Sequence, residues 1–365
     1  MHTPDRAHQY GDYNSLNAVA AISPNDVWAV GQYHRFATNS YDRTLAEHWD
    51  GTRWSFVHTP NSAERINLFT GVSALATNDV WAVGYGTNVS VYDTLIEHWD
   101  GTKWSLFDRG QHAGILTAVL ALATNDVWAV GSTNYIGQGL IEHWDGMRWK
   151  RTLLPVSAYL KSISALSSSD IWVVGYRSTT NGSGVGDDTY TLHYDGTRWT
   201  HVPSPSPLHL HNIDQNWLLS VAAISPNDVW AVGVTRDTDY GILDDTLTEH
   251  WDGARWRVES SPDPGGQHMY NDLNAVVALN AANLWAVGSV GQVTFSPMDE
   301  HRDSMGWDVA ATPATQGALL SIARDSGSDL WAVGNRPKHN ASQKVYNGTL
   351  AEHRCTGSLR SYATR

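Results

Sequence analysis

The sequence predicts an all-β protein, a seven-bladed β-propeller with four antiparallel strands in each blade. Two repeated blocks predict it. The first reads Asp-Val-Trp-Ala-Val-Gly from Asp26 to Gly31, and its tryptophan occurs seven times, as Trp28, Trp81, Trp128, Trp172, Trp230, Trp285 and Trp331. The second reads Glu-His-Trp-Asp-Gly-Thr-Arg-Trp and first occupies residues 47–54. The first-block tryptophans stand 44 to 58 residues apart, a period typical of propellers and solenoids.

Each repeat contains four short apolar runs separated by turn residues, as a blade of four strands requires. In the first repeat the runs are residues 16–23, 26–32, 44–49 and 53–59. Residues 23–26 (Ser-Pro-Asn-Asp) and 50–51 (Asp-Gly) lie between runs, and tight hairpin turns favour such residues. Residues 27–30 are apolar at every position, so we expect neighbouring blades to cover both faces of each sheet.

We predict a single domain over residues 1–365. The approximate blades are residues 16–60, 67–108, 115–153, 160–203, 218–260, 273–312 and 318–365. The sequence after Tyr13 parallels that after Tyr270, which places an inter-blade linker near the start of the chain. The last outer hairpin is degraded around Cys355. We therefore expect blade seven to join blade one side by side, without strand exchange.

The pairing of residues 26–31 with residues 47–54 resembles a Trp-rich bacterial seven-bladed propeller repeat, and more distantly Asp-box and kelch blades. The resemblance covers nearly the whole chain. It implies the fold and no particular activity, because propellers carry many unrelated functions. Galactose-oxidase-like chemistry needs a Cys–Tyr crosslink, whereas Cys355 replaces the aspartate of a repeat turn. Sialidase-like chemistry brings an FRIP-type motif with an arginine triad, which the sequence lacks.

The charge balance excludes some partners. The formal net charge is -13 and the sequence has no run of basic residues, so we expect no binding to nucleic acid or to an anionic membrane surface. Cys355 is the only cysteine, so an intrachain disulfide is excluded. The sequence shows neither a long apolar segment nor the pattern of a secretory signal. We expect a soluble cytoplasmic monomer, or a secreted one if a leader was removed.

The second block carries a repeated histidine, which is preceded by glutamate in six of its seven copies. The histidines are His48, His98, His143, His193, His250, His301 and His353, and Leu192 replaces the glutamate in the fourth repeat. Seven equivalent copies of this histidine, spread around a ring, cannot converge on one substrate. Buried polar groups need partners, so we interpret these residues as a structural hydrogen-bond network within the blades.

The linkers between blades and the loops between second and third strands vary in length and share one face of a propeller. Rigid scaffolds carry function in such loops. The longest neighbouring loops are residues 176–188, 203–217 and 234–245, around blades four and five. We therefore predict one asymmetric site at the mouth of the channel for a small polar or aromatic ligand. The predicted ligand-binding residues are Arg177, Tyr176, Trp217, Arg236, Tyr240 and Arg35.

Histidines in the linkers suggest a divalent metal as a cofactor. His209 and His211 lie two residues apart, so both imidazoles can face one ion if that linker is extended. The other linker histidines are His8, His112 and His268. The layout resembles the four-His iron site of carotenoid-cleaving propellers, although those enzymes take their ligands from inner strands. The alternative is that these loop histidines are simply solvated.

An enzyme is the alternative to a binding protein. In that case His211, Asp188 and Asp245 are the predicted catalytic residues of a lyase, cyclase or hydrolase, with or without a metal. Asp187 and Asp244 double the two aspartates, and neighbouring carboxylates raise each other's pKa. A protein-interaction scaffold is the second alternative. The identity of the ligand does not follow from the sequence.

Overall fold

We describe the protein from a computed structural model. The structure describes residues 1–36, 41–88, 91–108, 113–133, 137–181, 184–208, 214–237, 243–266, 269–340, 342 and 344–355. The elements found among these residues are 27 β-strands. No helix in the described residues is long and apolar enough to cross a membrane.

The strands form seven consecutive antiparallel meanders, the blades, and the first strand of each is the inner strand. Blade one comprises β1 (Tyr13–Ser23), β2 (Asp26–His34), β3 (Arg43–Trp49) and β4 (Trp54–Phe56). Blade two comprises β5 (Ile66–Ala76), β6 (Asp79–Thr87), β7 (Tyr92–Trp99) and β8 (Trp104–Asp108). Blade three comprises β9 (Ile115–Ala123), β10 (Asp126–Ser132), β11 (Gln138–Trp144) and β12 (Trp149–Ser157). Blade four comprises β13 (Tyr159–Ser167), β14 (Asp170–Asn181), β15 (Gly184–Tyr194) and β16 (Trp199–His201).

The remaining blades repeat the pattern. Blade five comprises β17 (Gln215–Ser225), β18 (Asp228–Asp237), β19 (Leu243–Trp251) and β20 (Trp256–Glu259). Blade six comprises β21 (Tyr270–Asn280), β22 (Asn283–Gly291), β23 (Phe295–Asp303) and β24 (Gly306–Ala310). Blade seven comprises β25 (Ala318–Arg324), β26 (Leu330–His339) and β27 (Val345–Arg354).

Seven buried apolar clusters join each blade to the next and close the ring. Six clusters join consecutive blades, from one and two through to six and seven. The seventh brings Leu16 of β1 together with Trp331 and Val333 of β26. The chain is therefore the predicted seven-bladed β-propeller, and its inner strands surround the central axis.

The first-block tryptophans are the wedges between blades. Trp28 of blade one lies 5.0 Å from Trp99 and 5.4 Å from Trp104 of blade two, measured between ring centroids. Blades six and seven replace the tryptophan equivalent to Trp99 with arginine. The guanidinium of Arg302 then lies 4.2 Å from the centroid of Trp230 in the preceding blade, a cation–π contact in the same place.

The repeated histidines have structural partners, as predicted. In each blade the imidazole lies against the first-block tryptophan ring of the same blade, with centroids 3.9 to 4.5 Å apart. Its Nε2 also approaches the first residue of the second strand, as in the 2.8 Å contact between His98 and Asp79. In blade six that residue is Asn283, which lies 3.0 Å from His301.

Five of the six repeated glutamates are buried, and the sixth, Glu352, is half-buried and reaches back to the preceding blade. Glu352 of blade seven accepts a hydrogen bond of 3.2 Å from the amide of Ala314, which follows a Thr-Pro pair at the end of blade six. Burial raises the pKa of Glu97 to about 8 and that of Glu300 to about 8. These carboxyl groups therefore hold their proton near neutral pH, which a buried site without a cation requires.

Blade four shows what happens when the glutamate is missing. Leu192 occupies its position, and Leu154 of blade three occupies the position of the threonine in the Thr-Pro pair. Both leucines are buried in the same apolar cluster. The polar contact between blades is thus replaced on both sides by an apolar one.

The ring closes by strand exchange, so the predicted side-by-side closure is wrong. The backbone nitrogen of Met1 donates to the carbonyl of Ala351 on β27 at 2.9 Å, as Val57 donates to Ala46 in blade one. Thr3 donates to the carbonyl of Thr349 in the same blade. Residues 1–5 therefore lie along the outer edge of β27, as residues 57–61, which follow β4, lie along β3 in blade one. The edge of β27 has backbone groups that must be satisfied. Residues 2–4 and residues 58–60 both read His-Thr-Pro. This match is the sequence signal for the exchange.

Four buried asparagines fix the longer linkers on the variable-loop face. They are Asn14, Asn67, Asn216 and Asn271, each near the start of an inner strand. The amide of Asn216 donates to the carbonyl of Leu208, and its Oδ1 accepts from the nitrogen of the same residue, both at 3.0 Å. It also donates to the carbonyl of Asp187 at 3.2 Å. This side chain therefore helps to attach the linker before Trp217 to blade four.

Candidate functional site

One ring of seven residues marks the mouth of the channel. Each member precedes the inner-strand residue that pairs with the glycine of the first block. The members are Ser15, Leu68, Ile115, Tyr159, Trp217, Asp272 and Ala318. In blades seven, one, two and three the residue at this ring position is small or aliphatic. In blades four, five and six it is Tyr159, Trp217 and Asp272. The mouth is chemically asymmetric, and its distinctive sector comprises blades four, five and six, the first two of which carry the longest predicted loops.

Three half-buried aromatic rings cross from blade four to blade five in this sector. The ring of Tyr159 lies 5.0 Å from that of Tyr176, with an angle of 24° between the planes. The ring of Tyr176 lies 5.0 Å from that of Trp217 at 25°. We call these three residues the aromatic ladder. Nearly parallel rings at these separations offer an edge and a face on which another ring can stack.

Asp187, on β15, fixes the position of the aromatic ladder by hydrogen bonds. Its carboxylate accepts a hydrogen bond of 2.8 Å from Nε1 of Trp217 and another of 2.8 Å from the hydroxyl of Ser178. Burial and the charge of Asp187 together raise the pKa of Tyr176 to about 12. The same two causes raise the pKa of Tyr159. Both tyrosines therefore remain neutral hydroxyl groups at physiological pH.

Blade five continues the site with an ion pair. Nε and Nη2 of Arg236 donate to the two carboxylate oxygens of Asp244 at 2.7 and 2.6 Å, a bidentate geometry. Asp244 is fully buried. The guanidinium carbon of Arg236 lies 5.1 Å from the centroid of Trp217. The arginine thus neutralises an aspartate and packs against one end of the ladder.

Asp272 of blade six is the carboxyl group of this sector that can exchange a proton near neutral pH. Burial raises its pKa to about 6, and the charge of the nearby Asp244 contributes in the same direction, while Arg236 opposes it. Lys161 of blade four also belongs to the sector. Its Nζ lies 5.4 Å from the centroid of Tyr176.

The structure brings together half of the predicted ligand-binding residues. Tyr176, Trp217 and Arg236 form one contiguous group. Arg177 points to the other side of β14, where its Nη2 lies 3.7 Å from Asp188. Arg35 belongs to blade one, away from this sector, and donates to the carbonyl of Arg6 at 3.2 Å. Tyr240 lies outside the described residues.

The predicted catalytic residues are not assembled in the described part of the chain. His211 lies outside the described residues. Asp188 contacts Arg177, and Asp245 is exposed. The carboxylates that contact the ladder and its arginine are the other members of the two pairs, Asp187 and Asp244. The sequence could not distinguish them, because adjacent residues on a strand point to opposite faces.

The metal prediction stays a prediction. His209, His211, His112 and His268 lie outside the described residues, and His8 is exposed on the linker before β1. Among the described residues, one set of three potential ligands has donor atoms within 4.8 Å of one another: Asp329, His353 and Cys355. That set belongs to blade seven and includes none of the predicted ligands.

Sequence reasoning missed Tyr159, Lys161 and Asp272. They lie on inner strands, whereas the predicted site was placed on the loops and linkers. Aligning the seven inner strands on their shared leucine or phenylalanine would have shown them, because the equivalent positions in blades one, two, three and seven carry no charged or aromatic residue. A charged residue inside a ring of uncharged equivalents is the available signal.

Comparisons with known proteins show the fold. No protein-family model matches the chain, and no curated protein matches it. The structure of YCF48 bound to a D1 peptide is similar, with a TM-score of 0.54 and 14% identity over 98% of this chain and 100% of that one. A PL25 ulvan lyase bound to -[GlcA(1-4)Rha3S]- gives a TM-score of 0.61 and 9% identity over 95% and 97% of the two chains. A GH74 xyloglucanase from Xanthomonas campestris gives 0.53 and 13% over 94% and 55%.

These neighbours define the class of protein as a β-propeller. Identities of this size carry no residue roles from one chain to another, because one propeller framework serves many functions. The resemblance to Trp-rich bacterial repeats, and the more distant one to Asp-box and kelch blades, remains a prediction from the sequence.

Proposed function

We propose that the protein is a ligand-binding propeller with one asymmetric site on the blade four to six sector of the channel mouth. The ligand is a small polar molecule with a ring, and this ring stacks on the aromatic ladder. The observation that carries the proposal is the ladder itself, three half-buried rings with neighbouring centroids 5.0 Å apart. Two of its members, Tyr159 and Trp217, occupy inner-strand positions that are small or aliphatic in blades seven, one, two and three.

The polar groups around the ladder favour a ligand rich in hydroxyl groups. Asp187 holds Trp217 in place, and Asp272 supplies a carboxyl group at the same level of the channel. Carboxylates accept hydrogen bonds from hydroxyl groups, and aromatic rings pack against the apolar face of a sugar. Among the neighbours, one propeller carries a bound saccharide and one a bound peptide. Tyr240 and His211 remain proposed contacts, whereas Arg177 lies on the other side of β14, next to Asp188.

Catalysis at the same site is the second candidate. It is favoured by Asp272, whose pKa of about 6 suits a group that takes and gives a proton near neutral pH. A lyase, cyclase or hydrolase would use such a group. Asp188, Asp245 and a metal held by His209 and His211 remain proposals for that chemistry. Catalysis would be established by a turnover rate that is lost when Asp272 is replaced and that decreases as the pH is lowered below about 6.

The binding proposal is tested with a small panel of ring compounds: methyl β-D-glucoside, phenyl β-D-glucoside, D-glucuronate and adenosine. Saturation-transfer NMR detects binding to the wild type, and titration calorimetry measures the affinity. We expect Trp217→Ala to reduce the affinity at least tenfold, about 1.4 kcal/mol. The matched control is Ile115→Ala, at the equivalent position of blade three, which should bind as the wild type does.

Thermal melts show whether each variant is folded. Tyr176→Leu removes a second ring of the ladder without touching the hydrogen bond to Asp187, and we expect a comparable loss of affinity. Equal affinities of the wild type, Trp217→Ala and Tyr176→Leu would overturn the proposal. The absence of binding by every compound of the panel would also count against it.

A further inference from the structure

Lys161 occupies a position that is equivalent in all seven blades, and it is the one charged residue found there. The position is the bulge of the inner strand, where the pairing of β13 with β14 skips one residue between Leu160 and Ser162. The equivalent residues in the other blades are Asn17, Thr70, Thr117, Leu219, Asn274 and Leu320. The propeller fold therefore does not require a lysine at this position.

The polar residues at the positions equivalent to Lys161 all form a hydrogen bond to the next blade. Asn17, Thr70 and Thr117 donate hydrogen bonds to a carbonyl on the inner strand of the next blade at 2.7, 2.6 and 2.6 Å. Asn274 does the same at 2.9 Å. Lys161 makes no hydrogen bond or ion pair with any residue in the described part of the chain. Its charged group has only the face of the Tyr176 ring, 5.4 Å away.

The acidic groups of the sector have other partners. Asp187 accepts from Trp217 and Ser178. Asp244 is paired with Arg236. Asp272 lies beside Asp244 in blade six. Within the described ranges of the chain, no carboxylate is therefore paired with the ammonium of Lys161.

An uncompensated cation that has lost part of its water is costly, and an anion placed against it recovers this cost. Burial lowers the pKa of Lys161. Lys161 is half-buried, so its ammonium is less well solvated than that of a surface lysine. Nζ lies 5.4 Å from the centroid of the middle ring, Tyr176, so a ligand that packs against the ladder brings its substituents within reach of Nζ.

We propose that the ligand is a sugar carrying a carboxylate, a uronate. The ring packs against the aromatic ladder, the carboxylate pairs with Nζ of Lys161, and the hydroxyl groups face Asp187 and Asp272. An aromatic acid would satisfy the lysine and the ladder, but it would bring no hydroxyl group to Asp272. The inference rests on the proposed function, because it names the class of ligand for the same site.

The test compares D-glucuronate with methyl β-D-glucoside and benzoate by titration calorimetry at pH 7. We expect the wild-type protein to bind D-glucuronate at least tenfold more tightly than either of the others. Lys161→Met should lose this preference, with D-glucuronate weakened at least tenfold and methyl β-D-glucoside unchanged. Lys161→Arg, which keeps the charge, should retain most of the preference. Lys150→Met on an exposed strand is the matched control and should bind as the wild type does.

The outcomes separate the two proposals. Equal binding of D-glucuronate and methyl β-D-glucoside, both weakened by Trp217→Ala and neither by Lys161→Met, overturns the uronate inference and leaves the ladder as a binding site. Tighter binding of benzoate than of D-glucuronate overturns the sugar class. If Trp217→Ala binds every compound as tightly as the wild type does, the proposed function itself is overturned. Because Lys161 makes no contact required by the fold and its unpaired charge is costly, Lys161→Met should melt at or above the temperature of the wild type, and Lys161→Arg close to it.

Discussion

Nε1 of Trp217 in blade five donates a hydrogen bond of 2.8 Å to the carboxylate of Asp187 in blade four. The contact crosses the boundary between two blades and fixes the plane of the outermost ring of the aromatic ladder. A ring held this way is ready to receive a ligand without first losing its own freedom.

Asp187→Ala should therefore weaken ligand binding more than it weakens the fold. Without its acceptor, the indole of Trp217 regains rotational freedom and its N–H loses a charge-assisted hydrogen bond. We expect roughly a tenfold loss of affinity for compounds that bind the ladder. Calorimetry measures the affinity, and a urea titration measures the free energy of unfolding. Unchanged affinity in Asp187→Ala would show that the orientation of Trp217 is unimportant.

The repeated histidine should contribute to stability and not to ligand binding. His98 contacts Asp79 at 2.8 Å and stacks on Trp81 with centroids 4.3 Å apart. We expect His98→Ala to lower the free energy of unfolding by about 2 kcal/mol, with ligand affinity unchanged. Asp79→Asn is the matched variant. It should be close to neutral, because Asn283 fills this position naturally in blade six and still contacts His301.

A stable His98→Ala protein that no longer binds its ligand would contradict this structural role. A large loss of stability in Asp79→Asn would show that the negative charge, rather than the hydrogen bond, holds the histidine.

The buried glutamates should make stability fall as pH rises. Burial raises the folded-state pKa of Glu97 from 4.5 to about 8. The folded state therefore binds this proton more tightly than the unfolded state, and the resulting stability is fully present below pH 4.5 and lost as pH rises to about 8. Glu97→Gln should remove this dependence and be more stable than the wild type at pH 8, by on the order of 3 kcal/mol.

Urea titrations at pH 5 and pH 8 measure the difference, and Glu259→Gln on the outer strand of blade five serves as the control. If Glu97→Gln and the wild type lose the same amount of stability between these two pH values, Glu97 does not hold its proton in the folded protein.

Strand exchange at the closure should make Asp5 more important than its equivalent in blade one. Asp5 accepts hydrogen bonds from Nζ of Lys338 and the amide of Thr349 at 2.8 Å, and from the hydroxyl of Tyr346 at 3.0 Å. We expect Asp5→Ala to cost about 3 kcal/mol of unfolding free energy, because it frees both the segment and the outer edge of blade seven.

Asn61→Ala is the matched control for that experiment. Asn61 accepts from the amide of Thr44 at 3.0 Å in the same geometry, but its blade is continuous in sequence, so we expect a smaller loss of about 1 kcal/mol. A larger loss in Asn61→Ala would contradict the account of the closure.

Periodicity and turn chemistry were enough to predict the fold from the sequence. Seven copies of one block specify the ring, and the all-apolar residues 27–30 specify sheets covered on both faces. The structural role of His98 also followed from its repetition. The closure was missed because the sequence was compared in whole repeats, and the short His-Thr-Pro signal at residues 2–4 lies outside any complete repeat.

The candidate site could be predicted only in part. Tyr176, Trp217 and Arg236 were recognised from loop length and residue type. Tyr159, Lys161 and Asp272 were missed because their importance depends on where the inner strands converge, which a linear pattern does not show. Loop length also gave Arg35 the same weight as Arg236, although they lie in different sectors of the ring.

The central claim is that a ring ligand stacks on Trp217, and fluorine NMR of protein labelled with 5-fluorotryptophan tests it most directly. The signal of Trp217 among the 18 tryptophans is assigned by its loss in Trp217→Phe. Titration with D-glucuronate or phenyl β-D-glucoside should shift this signal and leave those of the wedge tryptophans, such as Trp28, in place. A Trp217 signal that stays fixed with both compounds, or shifts confined to tryptophans between the blades, would contradict the claim.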